Sequence, residues 1–165
     1  MSQVDDFLAI AKAEVGTVEG PKNNETKYGK FTKHDLQPWC GSFVMWCAAQ
    51  VKLRLPNVVW TPGGVEGFKG TGAWSNAATA SPKPGDIVFF YFVEGGAPVE
   101  HVGIVVKDNL DGTVTTIEGN TSPEKKKGSQ ANGGQVAERI RAYKKDNKQK
   151  LTPYIVGFGR PKWSK

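Results

Sequence analysis

Cysteine and histidine are scarce in this chain of 165 residues, with two of each. Cys40 and Cys47 fall in one stretch of helical spacing, seven positions apart. On a helix that is two turns, roughly 10 Å along the axis. A disulfide needs Cα atoms within about 7 Å, and two zinc thiolates need a similarly short span. The pair is therefore neither a disulfide nor a metal site, and the expectation is a protein with no metal and no cofactor. Long hydrophobic runs are also missing: no segment approaches the ~20 apolar residues of a membrane span. Residues 1–10 carry Asp5 and Asp6 and lack the basic-then-apolar order of a secretory signal. The expectation is synthesis in the cytoplasm, or a mature domain already trimmed, with any export needing outside help. Neither an internal repeat nor a linker is visible, so residues 1–165 read as one domain with its core over about 5–160.

What is present is uneven. The net charge is +6, but residues 121–165 hold 12 Lys/Arg against 3 Asp/Glu, while residues 1–120 are slightly acidic. The basic part includes Lys125, Lys126 and Lys127 and the run from Arg139 to Lys150. Such a patch attracts polyanions, whether nucleic acid or an anionic cell wall, and any single lysine can equally be part of a solvated face. Twenty glycines and ten prolines predict many turns and a sheet-rich half.

The stretch Gln37-Pro38-Trp39-Cys40-Gly41-Ser42-Phe43-Val44-Met45-Trp46 organises the chain. After Pro38, Phe43, Val44, Trp46 and Cys47 share an apolar face, predicting a helix from about 39 to 52 or 53. Cys40 then lies in its first turn, where unpaired N–H groups and the positive end of the dipole favour a thiolate. Gly41 leaves room beside it for a substrate backbone. Against this stands the plainer possibility that Cys40 is a small buried hydrophobe. Cys47 reads as core.

Other helices are expected at 2–15, capped by Ser2, in a short turn near 25–28, and at 65–68 after the breakers Pro56, Pro62, Gly63 and Gly64. Trp74 closes this loop-rich region. Beyond Lys83-Pro84-Gly85-Asp86 the texture turns β-rich, with strands predicted at 87–92, 100–106, 114–118, 136–143 and 154–158. In the fourth, Val136, Glu138, Ile140 and Ala142 alternate against the other face. Helices first and strands after predict an α+β fold with an antiparallel sheet.

A thiolate needs a base, and the base an orienting group. His34 lies in a polar stretch; His101 opens a strand. A hairpin turn at 109–112 pairs residues whose numbers sum to about 221, which brings Asn120 opposite His101 and Glu118 within a residue or two. Either can hold the imidazole through Nδ1–H and leave Nε2 for the thiol proton.

Four motifs in this order, Pro38 to Trp46, Lys83-Pro84-Gly85-Asp86-Ile87-Val88-Phe89, His101-Val102-Gly103-Ile104-Val105 and Ile117-Glu118-Gly119-Asn120, resemble the CHAP family of cysteine, histidine-dependent amidohydrolases/peptidases. These are similar to NlpC-type peptidases and more distantly to papain, and the resemblance covers roughly residues 5–160. It implies a papain-like or NlpC-like fold, N-terminal helices on a C-terminal antiparallel sheet of about five to six strands. It implies a peptidoglycan hydrolase that is either an N-acetylmuramoyl-L-alanine amidase or a stem or cross-bridge endopeptidase. By resemblance Cys40 is the nucleophile, His101 the general base, Glu118 its orienting residue and Asn120 a fourth active-site residue. The N–H at the helix start, with the Gln37 side chain, would meet the oxyanion. Trp39 and Trp74 would line the cleft, although a helix-entry Gln and two core Trp are the plainer readings.

Some phage members bind calcium through an Asp-x-Asp loop before the cysteine; here Lys33-His34-Asp35-Leu36-Gln37 has one acid, so no such site is expected. The absent signal favours a monomeric phage lysin released by a holin and drawn to the wall by residues 125–150. Two other readings remain: a catalytically silent phage structural domain, and a basic nucleic-acid-binding module. The second leaves Cys40, His101 and Glu118 unexplained, so no nucleic-acid partner is expected.

Overall fold

The computed structural model describes residues 1–93, 98–124 and 127–164. Four helices come first. Helix α1 (Gln3–Ala13) starts from a capping box in which the Ser2 hydroxyl accepts from Asp5 N–H and the Asp5 carboxylate accepts from Ser2 N–H. Short α2 (Lys27–Thr32) follows, capped by Thr26. Helix α3 (Cys40–Gln50) has Trp39 as its N-cap, as the spacing predicts. Helix α4 (Thr61–Gly70) is longer than expected and begins inside the supposed breakers. Pro62 sits in its first turn, where a missing N–H costs nothing. Gly64 and Gly67 let Val58, Phe89 and Pro56 press against the helix.

Six strands follow: β1 (Trp74–Asn76), β2 (Ile87–Phe90), β3 (His101–Asp108), β4 (Thr113–Thr121), β5 (Gln135–Ala142) and β6 (Ile155–Gly159). They form one antiparallel sheet in the order β1-β6-β2-β3-β4-β5. The α+β class and the strand count agree with the expectation, and the short β1 is additional. At the β3–β4 hairpin Ile104 faces Ile117 and Val105 faces Thr116, the register read from the turn, before a bulge shifts it by one.

An antiparallel sheet can leave one face to water; here both faces are covered. Phe43, Val44 and Cys47 of α3, with Phe7 of α1, pack on Ile87, Phe89, Val102, Ile104 and Ile117. Behind the sheet, Val88, Phe90, Phe92, Val105, Val114, Tyr143 and Phe158 form a second core under Ala77, Ala80, Ala131 and Tyr154. Arg160, just after β6, clamps buried Asp86 before β2 through two bonds of 2.9 and 2.8 Å. No helix among the described residues is long and apolar enough to cross a membrane.

Candidate active site

Helix α3 packs on β3 and β4, so its first residue meets the first residue of β3. Cys40 is only 5% exposed. Burial alone would push its thiol up, but a hydrogen bond from His101, the His101 charge and the backbone N–H groups of Val102 and Gly41 bring it below the ordinary thiol range. Cys47, with burial as the main cause, is pushed the other way. Gly41 serves a different purpose from the one expected. A Cβ there would fall 2.1 Å from the Val58 carbonyl oxygen, so the close approach it permits is by the chain's own 58–59 backbone.

His101 is fully buried, its ring against Phe90 and Phe92 with centroids 5.4 and 5.6 Å away. Burial disfavours the imidazolium; the hydrogen bonds and charges of Cys40 and Glu118 outweigh that and raise its pKa to about 9. Nε2 lies 2.8 Å from Glu118 Oε1. Nδ1 is buried and makes no hydrogen bond to any described residue, which leaves it as the nitrogen open to the neighbouring Cys40 thiol. The two nitrogens therefore play the opposite parts from those expected. Gly103 faces Glu118 across the pleat and makes room for it: a Cβ there would sit 2.7 Å from Glu118 Cγ. The Glu118 side chain passes close over Gly103, and its carboxylate bonds Nε2.

Glu118 is fully buried and saturated. Besides His101 it accepts from Thr116 Oγ1 at 2.6 Å and from Arg141, Nε to Oε2 at 2.8 Å and Nη2 to Oε1 at 2.7 Å. Burial opposes its charge, yet the Arg141 guanidinium and the His101 bond hold the carboxyl far below the usual range. Arg141 was expected on the basic face. It is 4% exposed, roofed by the Phe90 and Phe92 rings at 5.3 and 4.9 Å, and donates also to Gln130 and Thr121. The alternation read into β5 is likewise incomplete: Val136 and Ala142 are buried, Glu138 is exposed, and Ile140 is half-buried. The pattern that could have revealed Arg141 is its place two residues beyond Arg139 in a strand whose second face is also covered.

The other expected residues are dispersed. Asn120 is buried in a left-handed conformation (φ 56°), its amide donating to Asn132 Oδ1 and accepting from Gly134 N–H, both at 3.0 Å. It ties the 129–134 loop to the end of β4, and no described bond links it to His101. Gln37 is exposed just before α3. Trp39 is core: fully buried, stacked on Tyr28 at 5.4 Å and donating to Glu19 at 2.8 Å. Trp74 lies on edge strand β1, three strands from β3, donating to Asn76. His34 is exposed and bonded to the Thr32 carbonyl. Asp35 accepts from Thr26 N–H at the start of α2. Of the basic segment, Lys125 and Lys126 lie outside the described residues, whereas Lys144, Lys145, Lys148 and Lys150 are exposed.

A helix-borne thiol, an imidazole on a neighbouring strand and a carboxylate behind it form an arrangement chemically capable of acyl transfer through a thiolate. Comparison with solved structures finds the crystal structure of Ly7917, 17% identical, with a TM-score of 0.53 over 96% of this chain and 62% of that one. The chain thus spans about three fifths of that protein's length, and the likeness is one of fold. It also finds a Staphylococcus aureus protein described as similar to a lipoprotein of the NLP/P60 family, 13% identical, TM-score 0.48, covering 95% of this chain and 41% of that one. No curated protein matches the chain significantly. The sequence model of the CHAP domain matches residues 32–120, a span that runs from ahead of α3 to Asn120 and stops short of Arg141. With that match over more than half its length, the chain belongs to the CHAP family, whose domains act on peptidoglycan.

Proposed function

We propose that this protein is a peptidoglycan hydrolase that cuts an amide bond through a Cys40 thioester, either as an N-acetylmuramoyl-L-alanine amidase or as a stem or cross-bridge endopeptidase. The observation that carries the reading is the Cys40 thiol, lowered in pKa by an imidazole that Glu118 holds at 2.8 Å. The resting pair is a thiolate and an imidazolium. Cys40 Sγ attacks the amide carbon, and the oxyanion is met by the Cys40 N–H, with the exposed Gln37 side chain as the second candidate donor. As the C–N bond breaks, the proton on His101 Nδ1 passes to the leaving nitrogen. His101, now neutral, takes a proton from water, whose oxygen attacks the thioester carbon. Collapse releases the carboxylic product and restores thiolate and imidazolium. One amide and one water become one acid and one amine.

Within this reading the protein is a monomeric phage lysin, made in the cytoplasm and reaching the wall after holin-type release. The exposed lysines of 144–150 hold it to the anionic wall. The test is release of muropeptides from purified walls, followed by mass spectrometry to name the bond. Cys40→Ser should abolish release with native circular dichroism, since a hydroxyl is a far weaker nucleophile. Cys47→Ser, two turns away, should retain it if folded. Equal loss in both would refute the assignment.

A further inference from the structure

Two anions and one titratable cation meet in the buried centre of this site. If the resting state holds a Cys40 thiolate and a Glu118 carboxylate with only the His101 imidazolium between them, the centre carries one uncompensated negative charge. A charge with no partner in a dry interior is costly, and such groups neutralise instead. The cheapest neutralisation is at the thiol, which would then keep its proton and be a poor nucleophile.

We propose that Arg141 is a positioning residue that supplies the missing cation: by pairing with Glu118 through its two-bond fork, it lets the His101 imidazolium be matched to a Cys40 thiolate. This rests on the catalytic reading of Cys40 and His101 given above. The fork runs Nε to Oε2 at 2.8 Å and Nη2 to Oε1 at 2.7 Å, with Thr116 Oγ1 closing the remaining side at 2.6 Å. Phe90 and Phe92 seal the guanidinium from water and also flank the imidazole. Arg141 thus lies inside the dry compartment that holds His101 and Glu118. Other charged groups do not replace it. Arg139, also on β5, is half-buried, feels Glu118 and Glu124 only at a distance, and donates to the Ser122 carbonyl rather than to Glu118. Glu100, which precedes β3, accepts from Phe92 N–H. From α3 only Cys40 faces the centre, and from β4 only Glu118 itself.

Alkylation of Cys40 by iodoacetamide against pH reads the thiolate directly, because only the thiolate reacts. His101 is followed by NMR, with exposed His34 as the internal reference. In Arg141→Gln the Cys40 midpoint should rise by at least one pH unit, a tenfold loss of thiolate on the flank of the titration. His101 should stay protonated beside Glu118, and His34 should not move. Arg141→Lys restores the cation without the fork and should bring the midpoint back to within half a unit. Glu118→Gln/Arg141→Met removes both charges, while an amide oxygen still faces Nε2. One anion and one cation then remain, and the midpoint should return toward wild type.

A residue needed only for packing predicts the reverse, fewer folded molecules with an unmoved midpoint in Arg141→Gln, and no recovery in the double variant. Either result overturns the proposal. Should Arg141→Gln fail to fold, the double variant decides alone: a midpoint still raised by a unit refutes the charge argument. Persistence of wall cleavage in Cys40→Ser would instead refute the catalytic reading, so the two failures are distinguishable.

Discussion

Gly103→Ala is the smallest change that should disable the site. The added Cβ would lie 2.7 Å from Glu118 Cγ and 3.2 Å from the Ile117 carbonyl oxygen. Carbon atoms rest at about 3.5–4.0 Å, so one of the two must move by about 0.8 Å or more. Glu118 cannot yield by swinging freely, because His101, Thr116 and Arg141 hold both of its oxygens. Displacing it stretches the His101 Nε2 contact from 2.8 Å to roughly 3.5 Å, outside hydrogen-bond range. A hydrogen bond to a charged group is worth about 1.5–3 kcal/mol. Expressed wholly in the transition state, that is a roughly 10- to 150-fold loss of kcat. Overpacking should also cost about 1–3 kcal/mol of stability. The assay is muropeptide release from purified walls, alongside urea denaturation. Gly70→Ala, whose Cβ would meet nothing within 4 Å, is the control and should be as active and at least as stable. A Gly103→Ala protein with wild-type kcat would show that the His101–Glu118 bond does not matter to the reaction.

Activity should follow a bell in pH. It rises as Cys40 ionises below the ordinary thiol range and falls near pH 9 as His101 loses the proton that the leaving nitrogen needs; rates still climbing above pH 10 would contradict the imidazolium assignment. The raised His101 pKa also contributes stability in full below its unfolded value of about 6.5, fading as pH rises toward 9, measurable by urea titration at pH 6 and pH 9.5. For Glu118 the sign is opposite, because its folded carboxyl is held down: its contribution is complete above about pH 4.3 and drains away as pH falls. Glu118→Gln, which strands the buried Arg141 guanidinium, should cost about 3–5 kcal/mol at pH 7 and about 2 kcal/mol less than that at pH 3. Replacing Lys144, Lys145, Lys148 and Lys150 by Gln should slow wall lysis and flatten its decline with salt, leaving cleavage of a small soluble stem peptide unchanged. An unaltered salt profile would remove these lysines from wall capture.

Period-two and period-3.6 patterns located most elements, because the residues that define them lie on faces buried by one partner. The hairpin was legible in fuller detail. Asn109-Leu110-Asp111-Gly112 sets the turn, the turn sets the register, and the register brings Glu118 to His101. Which imidazole nitrogen meets the carboxylate was not legible, since it depends on how the His101 ring is turned within the packed core. Arg141 was hidden for a related reason. In β5 buried residues fall on both faces, so alternation could not say which set is inside, and an arginine in a basic run reads as surface. Thr61-Pro62-Gly63-Gly64 misled because those residue types usually end helices. Here they open one, at the only turn where proline is harmless. Trp39 illustrates the limit for aromatic residues, since nothing local separates a cleft wall from a core when Tyr28 waits eleven positions upstream to stack on it.

The sheet's final strand in chain order is one of its inner strands: β6 lies between β1 and β2. Until residues 155–159 have been synthesised, β2 presents a bare edge and β1 has nothing to pair with. Pairings so distant in sequence are slow to form, and an unpaired inner edge is a template for aggregation. Synthesis of β6 should therefore act as a gate. A growing or prematurely terminated chain that already contains Cys40, His101 and Glu118 should be insoluble or bound by chaperones rather than partly active. Any activity of the site should then appear only once β6 has left the ribosome and paired.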